Sequence, residues 1–66
     1  MRLQVNGSAS DVADGTTLVE LLASLSLRPG TVVVEHNGTA LLRSEVAAAV
    51  LKDGDRLELV RAVAGG

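Results

Sequence analysis

None of the 66 residues is Cys, which excludes disulfides, thiolate metal sites and thiol nucleophiles together. Phe, Tyr and Trp are also absent, so Leu, Val and Ala must fill the core. The same absence removes the stacking platforms on which single-stranded nucleic-acid binders rely. Six basic residues against eight acidic ones leave a formal net charge of −2, the wrong sign for a general nucleic-acid binder. No apolar run approaches the length needed to span a bilayer. Nor does a basic stretch followed by an apolar one open the chain, as in a signal peptide. Together these absences predict one soluble, cytoplasmic domain, monomeric when free, with no nucleic-acid and no membrane partner. A chain this short buries only about 60% of its unfolded surface. Without covalent staples it depends on a regularly patterned core.

That patterning is present. Met1, Leu3 and Val5 alternate with Arg2, Gln4 and Asn6, which predicts a strand with one buried face. Asn6-Gly7 tolerates positive φ at both positions and predicts a hairpin into a returning strand over Ser8–Ala13. Thr16 or Thr17 begins a helix, with Thr17 and Glu20 spaced as a capping box. Leu18, Leu21, Leu22 and Leu25 form its apolar stripe, and Pro29-Gly30 is expected to end it. The three Val residues within Thr31–Glu35 predict a strand with little solvent contact on either face. Asn37-Gly38 predicts a second turn, leading into a short strand over Thr39–Leu42. Ser44 is expected to cap a short helix from Glu45 to about Val50, with Val46, Ala47 and Val50 on one side. Asp53-Gly54-Asp55 reads as a tight turn, and Arg56–Val63 as the last strand with Leu57 and Leu59 inward. One amphipathic helix against one mixed sheet is a two-layer α+β domain. A hairpin, a crossing helix and returning strands, with the first and last strands paired centrally, make the β-grasp arrangement of ubiquitin-like domains. The predicted organisation is a β-grasp domain over residues 1–63 and a flexible reactive tail over 64–66.

Catalytic groups are sparse. His36 is the single His, and in a strand it points away from its neighbour Glu35. Neither a nucleophile–base–orienter constellation nor a metal-ligand spacing is visible, so no catalytic residue and no metal site are expected. His36 therefore reads as an ordinary strand-end residue. Asp53 and Asp55 lack the twelve-residue loop and closing Glu of a Ca²⁺ site and read as a turn. Asn6-Gly7-Ser8 and Asn37-Gly38-Thr39 match the glycosylation sequon, but turn formation accounts for both.

The last residues differ. At an average Gly usage of about 7%, a closing Gly-Gly pair arises by chance in roughly 0.5% of chains, which makes Gly65-Gly66 a candidate signal. Read as a complete product opening on Met1, the chain ends in a carboxylate on Gly66, with Gly65 and Ala64 as its reactive tail. Absence of Cβ allows such a tail to thread a narrow cleft. The terminal carboxylate, with a reference pKa of about 3.3–3.7, is ionised at neutral pH and able to attack a nucleotide α-phosphate. The acyl-adenylate so formed could be converted to a thiocarboxylate by a sulfur donor or to an isopeptide by a Lys amine. Neither step needs a catalytic group on this chain. Partner recognition is expected on the solvent-facing side of the sheet, through Arg56, Glu58, Val60 and Arg61.

The chain resembles the sulfur carriers of thiamine biosynthesis, the ThiS family of short ubiquitin-like proteins. The resemblance runs through the strand ending at Asn6-Gly7, the run Gly15-Thr16-Thr17-Leu18-Val19-Glu20-Leu21-Leu22, the segment Val32–Gly38 and Arg43. It continues through Asp53-Gly54-Asp55-Arg56-Leu57-Glu58-Leu59-Val60 and terminal Gly65-Gly66. It implies that an adenylating (E1-like) enzyme uses ATP and Mg²⁺ to activate Gly66, while this chain binds no cofactor itself. Sulfur from a cysteine desulfurase system then leaves a thiocarboxylate, which thiazole synthase consumes. The chain departs from many relatives around Val46 and Ala47, where they carry an aromatic residue. It departs again at Ala62-Val63-Ala64, where their tails are bulkier and richer in Gly. The alternatives are a carrier for molybdopterin or another sulfur pathway, a ubiquitin-like modifier, and a non-covalent β-grasp binding module.

Overall fold

Two Asn-Gly pairs set the hairpins of this fold, and the computed structural model describes residues 1–61. Strands β1 (Arg2–Val5) and β2 (Ser8–Asp11) pair antiparallel around Asn6 and Gly7. These two residues hold φ of +50° and +83°, the left-handed pair that a two-residue turn needs to match strand twist. Strand β2 stops at Asp11, two residues short of the expected Ala13. The Val12 N–H still reaches the Met1 carbonyl at 2.9 Å, and the chain then bends toward the helix.

Helix α1 (Leu18–Ser24) begins with the expected capping box. The Thr17 Oγ1 accepts from the Glu20 N–H at 3.1 Å, and Glu20 Oε1 accepts from the Thr17 N–H at 2.9 Å. Leu18, Leu21 and Leu22 enter the core. The helix end corrects the sequence-based expectation, because it lies at Ser24 and not at Pro29-Gly30. Ser26 takes φ +59°, so its N–H reaches the Ala23 carbonyl at 3.0 Å and the Leu27 N–H reaches that of Leu22 at 2.8 Å. That pair of bonds is a Schellman closure, here with Ser where Gly is usual. Leu25 consequently falls on the cap and is 45% exposed, while Leu27 packs against the core instead. Pro29–Thr31 forms a separate 3₁₀ turn.

Strand β3 (Val32–His36), strand β4 (Thr39–Ala40), helix α2 (Arg43–Ala48) and strand β5 (Arg56–Arg61) complete the described elements. The sheet order is β2-β1-β5-β3-β4, with β1 and β5 parallel at the centre and the other pairs antiparallel. Leu3, Val34 and Leu57 from the sheet meet Leu18, Leu21 and Leu22 of α1, with Val46 of α2 and Leu51 closing the same core. Both helices lie on that face, so the expectation that the Val run is covered on both sides fails. Val34 is buried but Val33 is 50% exposed. Leu42, not Ser44, is the N-cap of α2, and Glu45 Oε1 accepts the Leu42 N–H at 2.7 Å. Only Val46 of the predicted apolar side is buried. Ala47 is exposed, and Val50 lies beyond the helix end, bridged to Thr17. In β5 the alternation holds, with Leu57 buried and Arg56 and Glu58 outward; the predicted continuation to Val63 lies outside the described residues. Among the described residues no helix is long and apolar enough to cross a membrane.

Candidate functional site

The predicted reactive residues Ala64, Gly65 and Gly66 lie outside the described residues, so the site is built from the strand that leads to them. Strand β5 is bonded on both sides, to β1 through Gln4↔Arg56 and Val5↔Leu57 and to β3 from His36↔Leu57 to Val32↔Arg61. The start of the strand, with a hydrogen-bonded neighbour on each side, has no free edge. Two side chains add further bonds. Asn6 Oδ1 accepts the Leu59 N–H at 2.7 Å, and Asn37 Oδ1 accepts the Arg56 N–H at 2.8 Å. On the β1 side these bonds reach only as far as Leu59, so the last described residue, Arg61, is held by β3 alone, opposite Val32.

Arg56, Glu58 and Val60 lie together on the open face, as expected. Val60, 61% exposed, stands opposite Val33, and Glu58 stands opposite Glu35. Directly opposed like charges weaken a sheet. This face thus combines an apolar pair near the strand end with an acidic pair behind it. Arg61 is a correction: alternation carries it to the side of Leu57 and Leu59. It borders a groove of about 410 Å³ with Ser26, Leu27, Arg28 and Thr31, on the helix side of the sheet.

The structure also assembles a polar cluster that the sequence reading missed. Asp55, at the end of the Asp53-Gly54-Asp55 turn, is only 7% exposed. Its Oδ2 lies 2.9 Å from His36 Nε2 and accepts the Lys52 N–H at 2.8 Å, while its Oδ1 accepts from Asn37 Nδ2 at 3.1 Å. A carboxylate only accepts, so the His36 Nε2–H is the donor. Burial pushes the Asp55 carboxyl upward, but the Lys52, His36 and Asn37 donors outweigh it and hold the pKa below the ordinary value. His36 is at a strand end as expected, yet it pins the loop before β5 to the β3–β4 turn. The signal was available only through register, since His36 opposite Leu57 brings Asp55 close by. Among the described residues no group of three His, Asp or Glu side chains converges to hold a metal ion.

Comparison with known proteins decides the family. A sequence model of the ThiS family matches residues 3–66. The chain belongs to the ThiS family. The sulfur carrier protein ThiS of Escherichia coli is 32% identical over 66 residues, covering all of both chains. The crystal structure of the thiamine biosynthesis protein ThiS of Geobacter metallireducens superposes with a TM-score of 0.82 at 39% identity, again over all of both chains. The β-grasp fold expected from the sequence is therefore the fold of its family. A thiazole synthase of Magnetococcus marinus is 36% identical over the same 66 residues, and one of Paramagnetospirillum magneticum is 33% identical. The chain spans about a fifth of the length of these two synthases (20% of each).

Proposed function

We propose that this ThiS-family chain carries sulfur for thiamine biosynthesis on the carboxylate of Gly66. The observation that carries the reading is the end-to-end match with the sulfur carrier of Escherichia coli, together with the Gly65-Gly66 pair. In the proposed cycle the Gly66 carboxylate attacks the α-phosphate of ATP on an adenylating partner, releasing pyrophosphate. A sulfide-level nucleophile, derived from a cysteine desulfurase system, then displaces AMP to leave a thiocarboxylate. Mg²⁺ and ATP belong to the adenylating enzyme, and the chain contributes the acyl group rather than a catalytic residue. Ala64 and Gly65 give the terminus an approach unobstructed by large side chains. Arg56, Glu58, Val60 and Arg61 are proposed to contact partners, on two sides of the strand root rather than on one. The cycle runs in the cytoplasm.

Thiazole synthase is the proposed sulfur acceptor. The support is that two proteins of that name contain a stretch similar to this whole chain, which favours the thiazole branch over molybdopterin. Intact mass of the native, untagged protein after incubation with ATP, Mg²⁺ and sulfur donor in an extract of its source tests the cycle. The expected result is a gain matching one oxygen replaced by sulfur, localised to Gly66. Deleting Gly66 is expected to abolish adenylation while leaving the fold intact. Adenylation of the truncated chain at its new terminus would overturn the proposal. An adenylate that never exchanges for sulfur would point to a conjugated modifier.

A further inference from the structure

Charge is distributed unevenly between the two ends of β5. At its start lie Asp11, Asp14, Asp53 and Asp55, four of the eight acidic residues. Asp53 Oδ1 accepts the Arg2 N–H at 2.6 Å, Asp11 pairs with the Arg2 side chain at 3.0 Å, and Asp14 pairs with the Met1 amine at 3.1 Å. At the other end the groove bounded by Ser26, Leu27, Arg28, Thr31 and Arg61 is lined by two arginines and, among the described residues, by no acidic one. Arg28 and Arg61 are both exposed, and neither takes part in an ion pair among the described residues. Arg43 lies nearby, its guanidinium against Gly30 of the turn that follows Arg28. A molecule with net charge −2 thus presents a cationic end.

Position gives that end its significance. Gly66 comes five positions after Arg61, and five residues of chain span at most about 18 Å. Any enzyme surface that encloses Gly66 therefore stands close to Arg28 and Arg61. The four Asp at the start of β5 share that end with Arg2, Lys52, Arg56 and the Met1 amine, so an approaching acidic surface is drawn chiefly to the Arg28 and Arg61 end, which turns the carrier with its terminus forward before contact. Such steering acts over about one Debye length, roughly 10 Å at 0.1 M salt.

We propose that Arg28 and Arg61 form a cationic docking point for an Asp/Glu-rich surface on the enzyme that activates the Gly66 carboxylate. This rests on the carrier reading above and specifies the partner chemistry of the same terminus.

The test is steady-state adenylation of the full-length protein, followed by pyrophosphate release, at low and high ionic strength. The R28E/R61E double variant is expected to raise the KM for the carrier about tenfold at low salt, with kcat unchanged. Near 1 M salt, where the Debye length falls to about 3 Å, the difference from wild type should largely vanish. R2E/K52E changes net charge by the same amount at the opposite end of β5, at residues not assigned to partner contact, and is expected to leave the carrier KM within about twofold. Circular dichroism verifies that each variant is folded, and R28K/R61K should restore most of the wild-type KM. An unchanged KM in R28E/R61E would overturn the proposal, as would an equal effect in R2E/K52E. A rise in the KM for ATP instead would assign the guanidinium groups to nucleotide phosphate and also overturn it. Failure of the wild-type chain to be adenylated at all would refute the carrier reading, a separate outcome.

Discussion

Removing the Asp55 carboxylate is expected to destabilise the fold substantially. The side chain is buried and accepts from the Lys52 N–H, Asn37 Nδ2 and His36 Nε2. A hydrogen bond to a charged group contributes about 1.5–3 kcal/mol. The three donors do not sum, because the Lys52 and Asn37 residues are exposed and water can replace part of what they lose. We expect Asp55→Ala to cost about 2–3 kcal/mol in urea unfolding. A 66-residue domain has roughly 3–10 kcal/mol in total. At about 4–8 °C per kcal/mol, the melting temperature should fall by some 10–20 °C. Asp55→Asn is not a mild version of this change. Its single oxygen can serve Lys52 and His36, but its amide then faces Asn37 Nδ2, whose own oxygen is held by the Arg56 N–H. The pH dependence has a definite sign. Because the folded carboxyl titrates below the ordinary Asp value of about 3.9, its stabilisation is complete above that value. It is lost as pH falls through the lower folded value, so the gap between wild type and Asp55→Asn should narrow below about pH 4. Asp55→Ala unfolding within about 0.5 kcal/mol of wild type would refute the reasoning.

Two further substitutions probe the local devices. Asn6 both adopts φ +50° and accepts the Leu59 N–H at 2.7 Å. Asn6→Gly keeps the turn and loses the bond, for about 1 kcal/mol, whereas Asn6→Ala loses both, for about 2–3 kcal/mol. Equal denaturation midpoints for the two variants would show that the bond to β5 alone matters. Thr17→Ala removes the hydroxyl half of the capping box and should cost about 1 kcal/mol, measured by thermal unfolding. Thr17→Ser should recover most of it, and failure to do so would assign the loss to the threonine methyl group.

The parts of this fold that a reader of the sequence obtains are those set by near neighbours. Asn6-Gly7 and Asn37-Gly38 turn because both residues accept positive φ, and Thr17 with Glu20 caps a helix because three residues separate them. The helix end was missed for the converse reason. Ser26 in the left-handed region carries no glycine signature, so Pro29, three residues later, drew the boundary away from Ser24. The exposure of Val33 depends on both helices choosing one face, which a run of three Val residues does not encode.

The polar cluster and the charged end needed register. His36, Asn37 and Asp55 converge because β3 pairs with β5 at His36↔Leu57, and Arg28 meets Arg61 because Val32 pairs with Arg61. The same register explains why the two hairpin asparagines matter beyond their turns. Both send a side-chain oxygen to a backbone N–H of β5, one at Arg56 and one at Leu59. Chemistry on a terminal carboxylate needs nothing from the domain except recognition and a firm root. Strand β5, bonded on both sides at its start, held by two side chains as far as Leu59 and paired with β3 to Arg61, supplies that root. The guanidinium groups at its end, in no ion pair among the described residues, are consequently better explained by what approaches the terminus than by what holds the domain together.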